Sequence, residues 1–154
     1  MPHIHEKIDF TVQVFIVRDH RVLLRRHDKY KIWLGVGGHI ELDEDPNQAA
    51  IREAKEEVGL DIVLADEAFE KRRVLLKNKP DLIPPRFLHR HKINETHEHV
   101  DLVYFATTDS AKITQGEHEI SDEIKWFTKD ELHDKKYGIE DDIKHYAGVA
   151  LETL

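Results

Sequence analysis

The sequence predicts a mixed α/β fold, in which strands lie before and after one central helix and a second helix ends the chain. Strand-like apolar runs lie on both sides of an amphipathic segment at 45–59. A second amphipathic segment occupies 139–154. We therefore expect helices packed on a sheet that contains both parallel and antiparallel strands.

The composition fits a single domain spanning 1–154. The chain has 154 residues, a formal net charge of −8 and no cysteine. The absence of cysteine excludes disulfides and thiol chemistry, and the acidic balance argues against a nucleic-acid polymer as the main partner. No apolar run has the length of a signal or membrane segment, so we expect no membrane association and a cytoplasmic location.

The first strands are predicted to form a hairpin over 9–27, with Asp19-His20 as its turn. In the first strand of this hairpin, residues 10–17 are all apolar except Thr11 and Gln13. This pattern is expected for a strand that is buried on both faces or nearly so. A short strand at 33–36 leads to a glycine pair.

The second half of the chain is predicted to contain more strands before its last helix. The strands at 87–93 and 99–107 are expected to pair with each other. The remaining predicted elements are strands at 61–65, 69–76 and 123–127, a loop at 77–85, a helical turn at 129–133 and a helix at 139–154. The basic cluster at 71–73 is interpreted as a solvated face.

The central helix carries clear boundary signals. Asp45 suits the N-cap, Pro46 the first helical position, and Gln48 completes a capping box. Gly59 is a natural stop. An apolar stripe is expected to face the core, with three glutamates gathered on nearly the opposite side; the stripe comprises Ala50, Ile51, Ala54 and Val58.

The three glutamates, Glu53, Glu56 and Glu57, repel one another at helical spacing. Lys55 is expected to point away, and Arg52 to reach Glu56, which leaves two carboxylates uncompensated. A solvated acidic face would explain one such pair. Three carboxylates in one cleft favour a hard divalent cation, Mg²⁺ first and Mn²⁺ second.

The residues before the helix strengthen the cation hypothesis. Gly37-Gly38 marks a place where the backbone approaches a ligand closely or adopts positive φ. An acidic loop follows, formed by Glu41, Asp43, Glu44 and Asp45.

Together these residues resemble the signature of the Nudix hydrolases at every specified position. The pattern is Gly38, then Glu44, then the run REAKEEVGL at 52–60. Val36 departs from the proline that many relatives carry there. The resemblance implies the Nudix fold, an α-β-α sandwich, and hydrolysis of a nucleoside diphosphate linked to another group X. Dimers are common among relatives, so a homodimer is compatible with the resemblance.

The resemblance also implies roles for single residues. Glu53, Glu56, Glu57 and the carbonyl of Gly37 match the family's metal ligands. Arg52 would orient the carboxylates, Glu44 would brace the loop, and Glu41 is a candidate outer ligand. The general base is expected on a later loop, where Glu119 is favoured over Glu117 and Glu123, although a surface role is equally compatible with each.

Histidine is unusually frequent, with 12 residues. His97, His99 and Asp101 share one strand face, as do His89 and His91 on the neighbouring strand. These imidazoles could wall the substrate pocket, bind zinc, or occupy polar strand positions without a special role. Our predicted substrate-binding set is Arg25, Arg26, His39, His97 and His99, with a solvated strand end as the alternative for the two arginines.

The sequence leaves the group X open. By elimination of other subfamily markers, a (deoxy)nucleoside triphosphate cleaved to monophosphate and pyrophosphate is our first choice. The alternatives are an ADP-ribose or nucleotide-sugar pyrophosphatase and a non-catalytic nucleotide-sensing module. Trp33, Phe87 and Tyr104 are candidates for base stacking, although we expect each to pack in the core.

Overall fold

The computed structural model describes residues 6–66, 81–116 and 121–154. The predicted strand at 69–76 and the basic cluster at 71–73 lie outside these residues. The described elements are β1 (Ile8–Arg18), β2 (Arg21–His27), β3 (Trp33–Leu34), β4 (Val36–His39), α1 (Pro46–Val58), β5 (Ile62–Leu64), β6 (Phe87–Lys92), β7 (Glu98–Thr108), β8 (Ser121–Phe127), α2 (Lys129–Leu132), a 3₁₀ turn (Lys135–Tyr137) and α3 (Asp141–Thr153).

The eight described strands form one mixed sheet around β1. On one edge, the middle of β1 pairs antiparallel with β4 and its last residues pair antiparallel with β2. On the other edge, β1 runs parallel to β7. β7 in turn pairs antiparallel with β5 and β6, and β2 pairs with β3 and β8. The predicted mixed sheet and the pairing of β6 with β7 are confirmed.

β1 separates two hydrophobic cores, because its successive side chains point to opposite faces of the sheet. Val12, Val14 and Ile16 pack into the core beneath α1. Phe15 and Val17 pack into the core beneath α3. This arrangement confirms the predicted burial of β1 on both faces and the predicted α-β-α layering.

The hairpin turn between β1 and β2 lies where the sequence places it. Asp19 and His20 have φ values of 48° and 60°. Two consecutive positive φ angles are typical of the type I′ turn, whose twist matches that of the flanking strands.

The ends of α1 also follow the predicted signals. The side chain of Asp45 accepts a hydrogen bond from the backbone of Gln48, whose own side chain accepts one from the backbone of Asp45. At the other end, Gly59 adopts a left-handed conformation with φ 71°. The loop at 109–116 packs on this end, where the N–H of Thr114 donates to the carbonyl of Val58 at 2.9 Å.

The buried face of α1 differs from the prediction. Ile51 is 47% exposed, whereas Glu53 and Glu57 are only 5% and 3% exposed. At roughly 100° per residue, Ile51 falls just beyond the edge of an arc that contains Ala50, Ala54 and these two glutamates. The glutamates therefore share the buried side of the helix with the apolar residues instead of opposing it.

The carboxyl-terminal helix begins at Asp141, two residues later than predicted, although Ile139 is buried as expected. Across the described ranges, none of the helices combines the length and apolarity needed to cross a membrane.

Replacing Gly59 with alanine should destabilise the protein more than the same change at Gly138. Both glycines have left-handed φ angles, 71° and 59°, and that conformation costs a residue with a Cβ atom ~1–2 kcal/mol. A Cβ at Gly59 would also lie 2.8 Å from Thr114, whereas nothing lies within 4 Å at Gly138. In urea denaturation, Gly59→Ala should lower the free energy of unfolding by ~1–3 kcal/mol more than Gly138→Ala does, which is the usual cost of overpacking. Equal decreases in the two variants would contradict the packing argument.

Candidate metal and substrate site

Arg52 joins the acidic loop to the helix and to β4. Its Nε and Nη2 donate to the two carboxylate oxygens of Glu44 at 2.9 and 2.7 Å. Nη2 also donates to the backbone carbonyl of His39 at 3.0 Å. The hydrogen bonds from Arg52 lower the pKa of Glu44, so this carboxylate stays ionised. The predicted bracing role of Glu44 is confirmed.

The three glutamates of the helix all have arginine partners, so the prediction of two uncompensated carboxylates is wrong. Nη1 of Arg52 donates to Glu53 at 3.0 Å and to Glu56 at 2.9 Å. Nε of Arg25, on β2, lies 2.8 Å from Glu57. The guanidinium group is forked and can serve several oxygens at once, and the second arginine comes from a distant part of the chain. Lys55 points away as predicted and pairs with Asp61 at 3.0 Å.

The glycine pair allows close approach and does not adopt positive φ, because it lies in the extended strand β4. A Cβ at Gly38 would overlap the carboxylate of Glu53. The N–H of Gly37 donates to Glu57 at 3.2 Å. The missing side chain of Gly38 thus lets the carboxylate of Glu53 lie directly against the backbone, whereas a Cβ at Gly37 would overlap the carbonyl of Val12 on β1.

This donor set fits a hard divalent cation. Four carboxylates, those of Glu44, Glu53, Glu56 and Glu57, share the two guanidinium groups of Arg25 and Arg52. The cluster therefore retains excess negative charge, and all of its side-chain donors to a cation are oxygen atoms.

A cavity of about 330 Å³ lies beside the glycine pair. It occupies the part of the sheet face that α3 leaves uncovered. Its lining residues are Thr11, Val12, Gln13, Arg25, His27, Tyr30, Ile32, Leu34, Gly35, Gly37, Gly38, His39, His91, Ile93, His99 and Asp101. The cavity therefore connects the backbone next to the acidic cluster with the histidine-rich strands.

Strand register brings the polar side chains of this cavity together. Asp9 on β1 pairs with His99 on β7, which pairs with His91 on β6. The next row on the same face joins Thr11 to Asp101. Paired residues on one sheet face contact each other directly, so the polar rows follow from the register.

Two buried carboxylates organise these rows. Asp9 lies 3.3 Å from Nε2 of His39 and 3.0 Å from Nε2 of His97. Asp101 accepts hydrogen bonds from Thr11 and Gln13, each at 2.9 Å. Burial raises the pKa of Asp101, while these hydrogen bonds oppose the rise.

The imidazole of His99 is neutral at physiological pH. Burial and the neighbouring His39, His91 and His97 lower its pKa to about 4. His39, His91 and His99 line the cavity, which is the arrangement that the pocket-wall hypothesis predicts.

The remaining predicted site residues are spread more widely. Arg25 lines the cavity. Arg26, the next residue of β2, instead donates a hydrogen bond from Nε to the carbonyl of Lys31 at 3.4 Å. His97 is buried against Asp9. Glu123 is exposed on β8. The favoured general base Glu119, like Glu117, lies outside the described residues.

Two of the three candidate stacking aromatics are buried, as expected, and the third, Phe87, is partly buried and packs against the core beneath α3. Trp33 and Tyr104 are 4% and 2% exposed. Phe87 packs against Phe105 and Tyr146. Tyr30 lines the cavity, together with several imidazole groups.

Sequence reasoning missed Asp9 as a member of this site. Its signal was present, because Asp9, Thr11 and Gln13 occur at every second position of an otherwise apolar strand. That spacing places all three on one face. Their partner strand could not be identified, because parallel pairing between β1 and β7 joins segments 90 residues apart in sequence.

Comparisons with known proteins agree with this fold and site. The NUDIX domain family model matches residues 8–147. A solved NUDIX-family hydrolase from Clostridium perfringens shares 39% identity, with a TM-score of 0.83 over 94% of this chain and 96% of that one. The CTP pyrophosphohydrolase of Escherichia coli strain K12 is 28% identical over 106 residues, which cover 61% of this chain and 73% of that protein.

A further solved structure shows similarity of fold alone. The dihydroneopterin triphosphate pyrophosphohydrolase of Escherichia coli has a TM-score of 0.66 at 16% identity, over 97% of this chain and 100% of that one.

The chain belongs to the Nudix hydrolase family. The predicted Nudix fold is confirmed, and the family defines the protein as a pyrophosphohydrolase. Nudix hydrolases act on small-molecule nucleotide substrates and generally use divalent metal ions.

Replacing Arg52 with methionine should strongly destabilise the protein. Its side chain is 21% exposed, and its removal takes the guanidinium contact away from the carboxylates of Glu44 and Glu53, which are 10% and 6% exposed. Breaking a buried ion pair costs ~3–5 kcal/mol, and because this one is partly exposed we expect the free energy of unfolding to fall by ~3 kcal/mol.

Lys55→Met on the same helix is the matched control. Its ion pair with Asp61 is largely exposed, and such pairs contribute ~0–1 kcal/mol. Denaturant titration should show a large decrease in the free energy of unfolding only for Arg52→Met. Similar decreases in both variants would contradict the anchoring role of Arg52.

Proposed function

We propose that this chain hydrolyses a (deoxy)nucleoside triphosphate to the monophosphate and pyrophosphate, with Mg²⁺, or Mn²⁺ in its place, held by Glu53, Glu56, Glu57 and the carbonyl of Gly37. The observation that carries the proposal is the packing of two nearly buried carboxylates against the Gly37-Gly38 backbone at the edge of an open cavity.

The charges of the site support a phosphate substrate. When bound, the ion supplies positive charge to the phosphate oxygens and promotes ionisation of water at neutral pH. Arg25 lines the cavity and contacts Glu57, so its guanidinium group can bind a phosphate oxygen while it orients the carboxylate. Arg52 is a positioning residue, since its contacts hold Glu53 and Glu56 in place.

The rest of the substrate would occupy the cavity along β4 and β7. His39 and His99 line this wall, where imidazole groups can hydrogen-bond to the sugar or base. His97 supports the wall through Asp9. Arg26 remains a candidate for the outer phosphates, and Glu119 remains our proposed general base. The relative named CTP pyrophosphohydrolase supports a nucleoside triphosphate over ADP-ribose or a nucleotide sugar.

Glu56→Gln and Glu57→Gln should each lower kcat at least ~100-fold, a loss of ~2.7 kcal/mol in transition-state stabilisation. Each change removes a charged cation ligand while nearly preserving the volume of the side chain. Rates of Mg²⁺-dependent phosphate release would be measured beside Glu152→Gln, which alters an exposed residue of α3. Wild-type rates in both Glu56→Gln and Glu57→Gln would refute the assignment of the metal ligands.

A substrate screen with product analysis tests the choice of substrate. Canonical and oxidised (d)NTPs, ADP-ribose, nucleotide sugars and dinucleoside polyphosphates would be compared at equal concentration with Mg²⁺. We expect the highest kcat/KM for a nucleoside triphosphate, with monophosphate and pyrophosphate as products. Preference for ADP-ribose or a nucleotide sugar would overturn the substrate, and tight nucleotide binding without cleavage would indicate a sensing module.

A further inference from the structure

Three strands bring together a second group of ligands that is separate from the helix glutamates. Asp9 on β1, His39 on β4 and His99 on β7 each offer one ligand atom, and these atoms all lie within 4.8 Å of one another. Asp9 and His99 are register partners, and His39 pairs with Thr11, two residues along β1 from Asp9. The pairing of β1 with β4 and β7 therefore fixes the backbones of all three residues.

One distance within this group suits two ligands of a single metal ion. Asp9 lies 3.3 Å from Nε2 of His39. Two ligands of one tetrahedral zinc ion, with bonds of ~2.0–2.2 Å, are separated by about 3.3–3.5 Å. Nε2 of His97 lies 3.0 Å from the same carboxylate, where it can orient Asp9 as an outer partner.

We propose that Asp9, His39 and His99 bind one divalent transition-metal ion. Zn²⁺ is the ion we propose, because catalytic zinc sites use two imidazoles and a carboxylate; the same ligand set also suits Fe²⁺. This site differs from the zinc site considered from the sequence, because it takes only His99 from the two His-x-His pairs. His89 instead contacts the hydroxyl group of Tyr146 through Nδ1 at 3.0 Å. The helix carboxylates offer oxygen only, so the two sites select different ions.

The proposed site faces the cavity. His39 and His99 line the cavity together with Gly37 and Gly38. Three protein ligands leave at least one coordination position of a zinc ion for water or an oxygen atom of a bound molecule. The ion would therefore place a second positive centre in the cavity wall.

Zinc titration of the full chain, after removal of metal with a chelator, tests the proposal. Binding would be followed by calorimetry in excess Mg²⁺, which occupies the helix carboxylates. Competition with a chelating dye would separate tight binding at this site from weak binding by the other histidines. We expect one tight Zn²⁺ per chain. His97→Gln removes only an outer partner and should lower the Zn²⁺ affinity ~10–100-fold. Asp9→Asn, His39→Gln and His99→Gln each remove a ligand and should lower the affinity further.

Two further variants serve as controls. Glu56→Gln removes a helix carboxylate and should leave Zn²⁺ affinity unchanged, as should His133→Gln at an exposed histidine. Circular dichroism would verify that each variant is folded, and the visible spectrum of bound Co²⁺ would report imidazole coordination in the wild-type chain. Absence of tight Zn²⁺ binding, unchanged affinity in the three ligand variants, or its loss in Glu56→Gln would each overturn the site.

Because these readouts do not use turnover, they distinguish failure of this site from failure of the proposed hydrolysis. If the chain binds zinc as described and cleaves no nucleotide, the zinc site is supported and the proposed hydrolysis is refuted. If it cleaves a nucleotide and binds no zinc tightly, the hydrolysis is supported and the zinc site is refuted.

Discussion

The guanidinium group of Arg52 is the contact on which the rest of the site depends. It binds Glu44 of the loop, Glu53 and Glu56 of the helix, and the backbone carbonyl of His39. One planar cation thereby fixes three segments that approach from different directions. Carboxylates this close would otherwise repel one another, so the arginine allows an acidic cluster to exist before any cation binds. The same contact ties the helix to β4, the strand that leads to the cavity wall.

The cavity exists because α3 covers only part of one sheet face. Phe15 and Phe105 lie under α3 in the second core, whereas Thr11 and Asp101, on the same face of the same two strands, line open space. The border is marked by Tyr146 of α3, which contacts His89. Along each strand the polar residues come first and the apolar residues follow, and the change between them coincides with the end of the helical cover. The position of the pocket is thus encoded in the order of side chains along β1 and β7.

Local signals in the sequence predicted most elements of the fold and identified the carboxylates of the acidic cluster. The capping box of α1 and the turn at Asp19-His20 both depend on residues close in sequence. Long-range contacts were harder to predict. The pairing of Arg25 with Glu57, the burial of Glu53 and the meeting of Asp9 with His39 and His99 depend on strand pairings that periodicity does not specify. The error at Ile51 had the same origin, because the strand packed against α1 decides which arc of the helix is buried.

The double role of β1 limits how its length can change. Its odd-numbered residues from Asp9 to Gln13 face the cavity region, and its even-numbered residues from Val12 to Ile16 fill the core under α1. Deleting or inserting a single residue here would move the polar row into an alanine-lined interior and expose the valines. Three partner strands would lose their match at once. Length variation among related chains should therefore fall in the connecting loops and leave this strand intact.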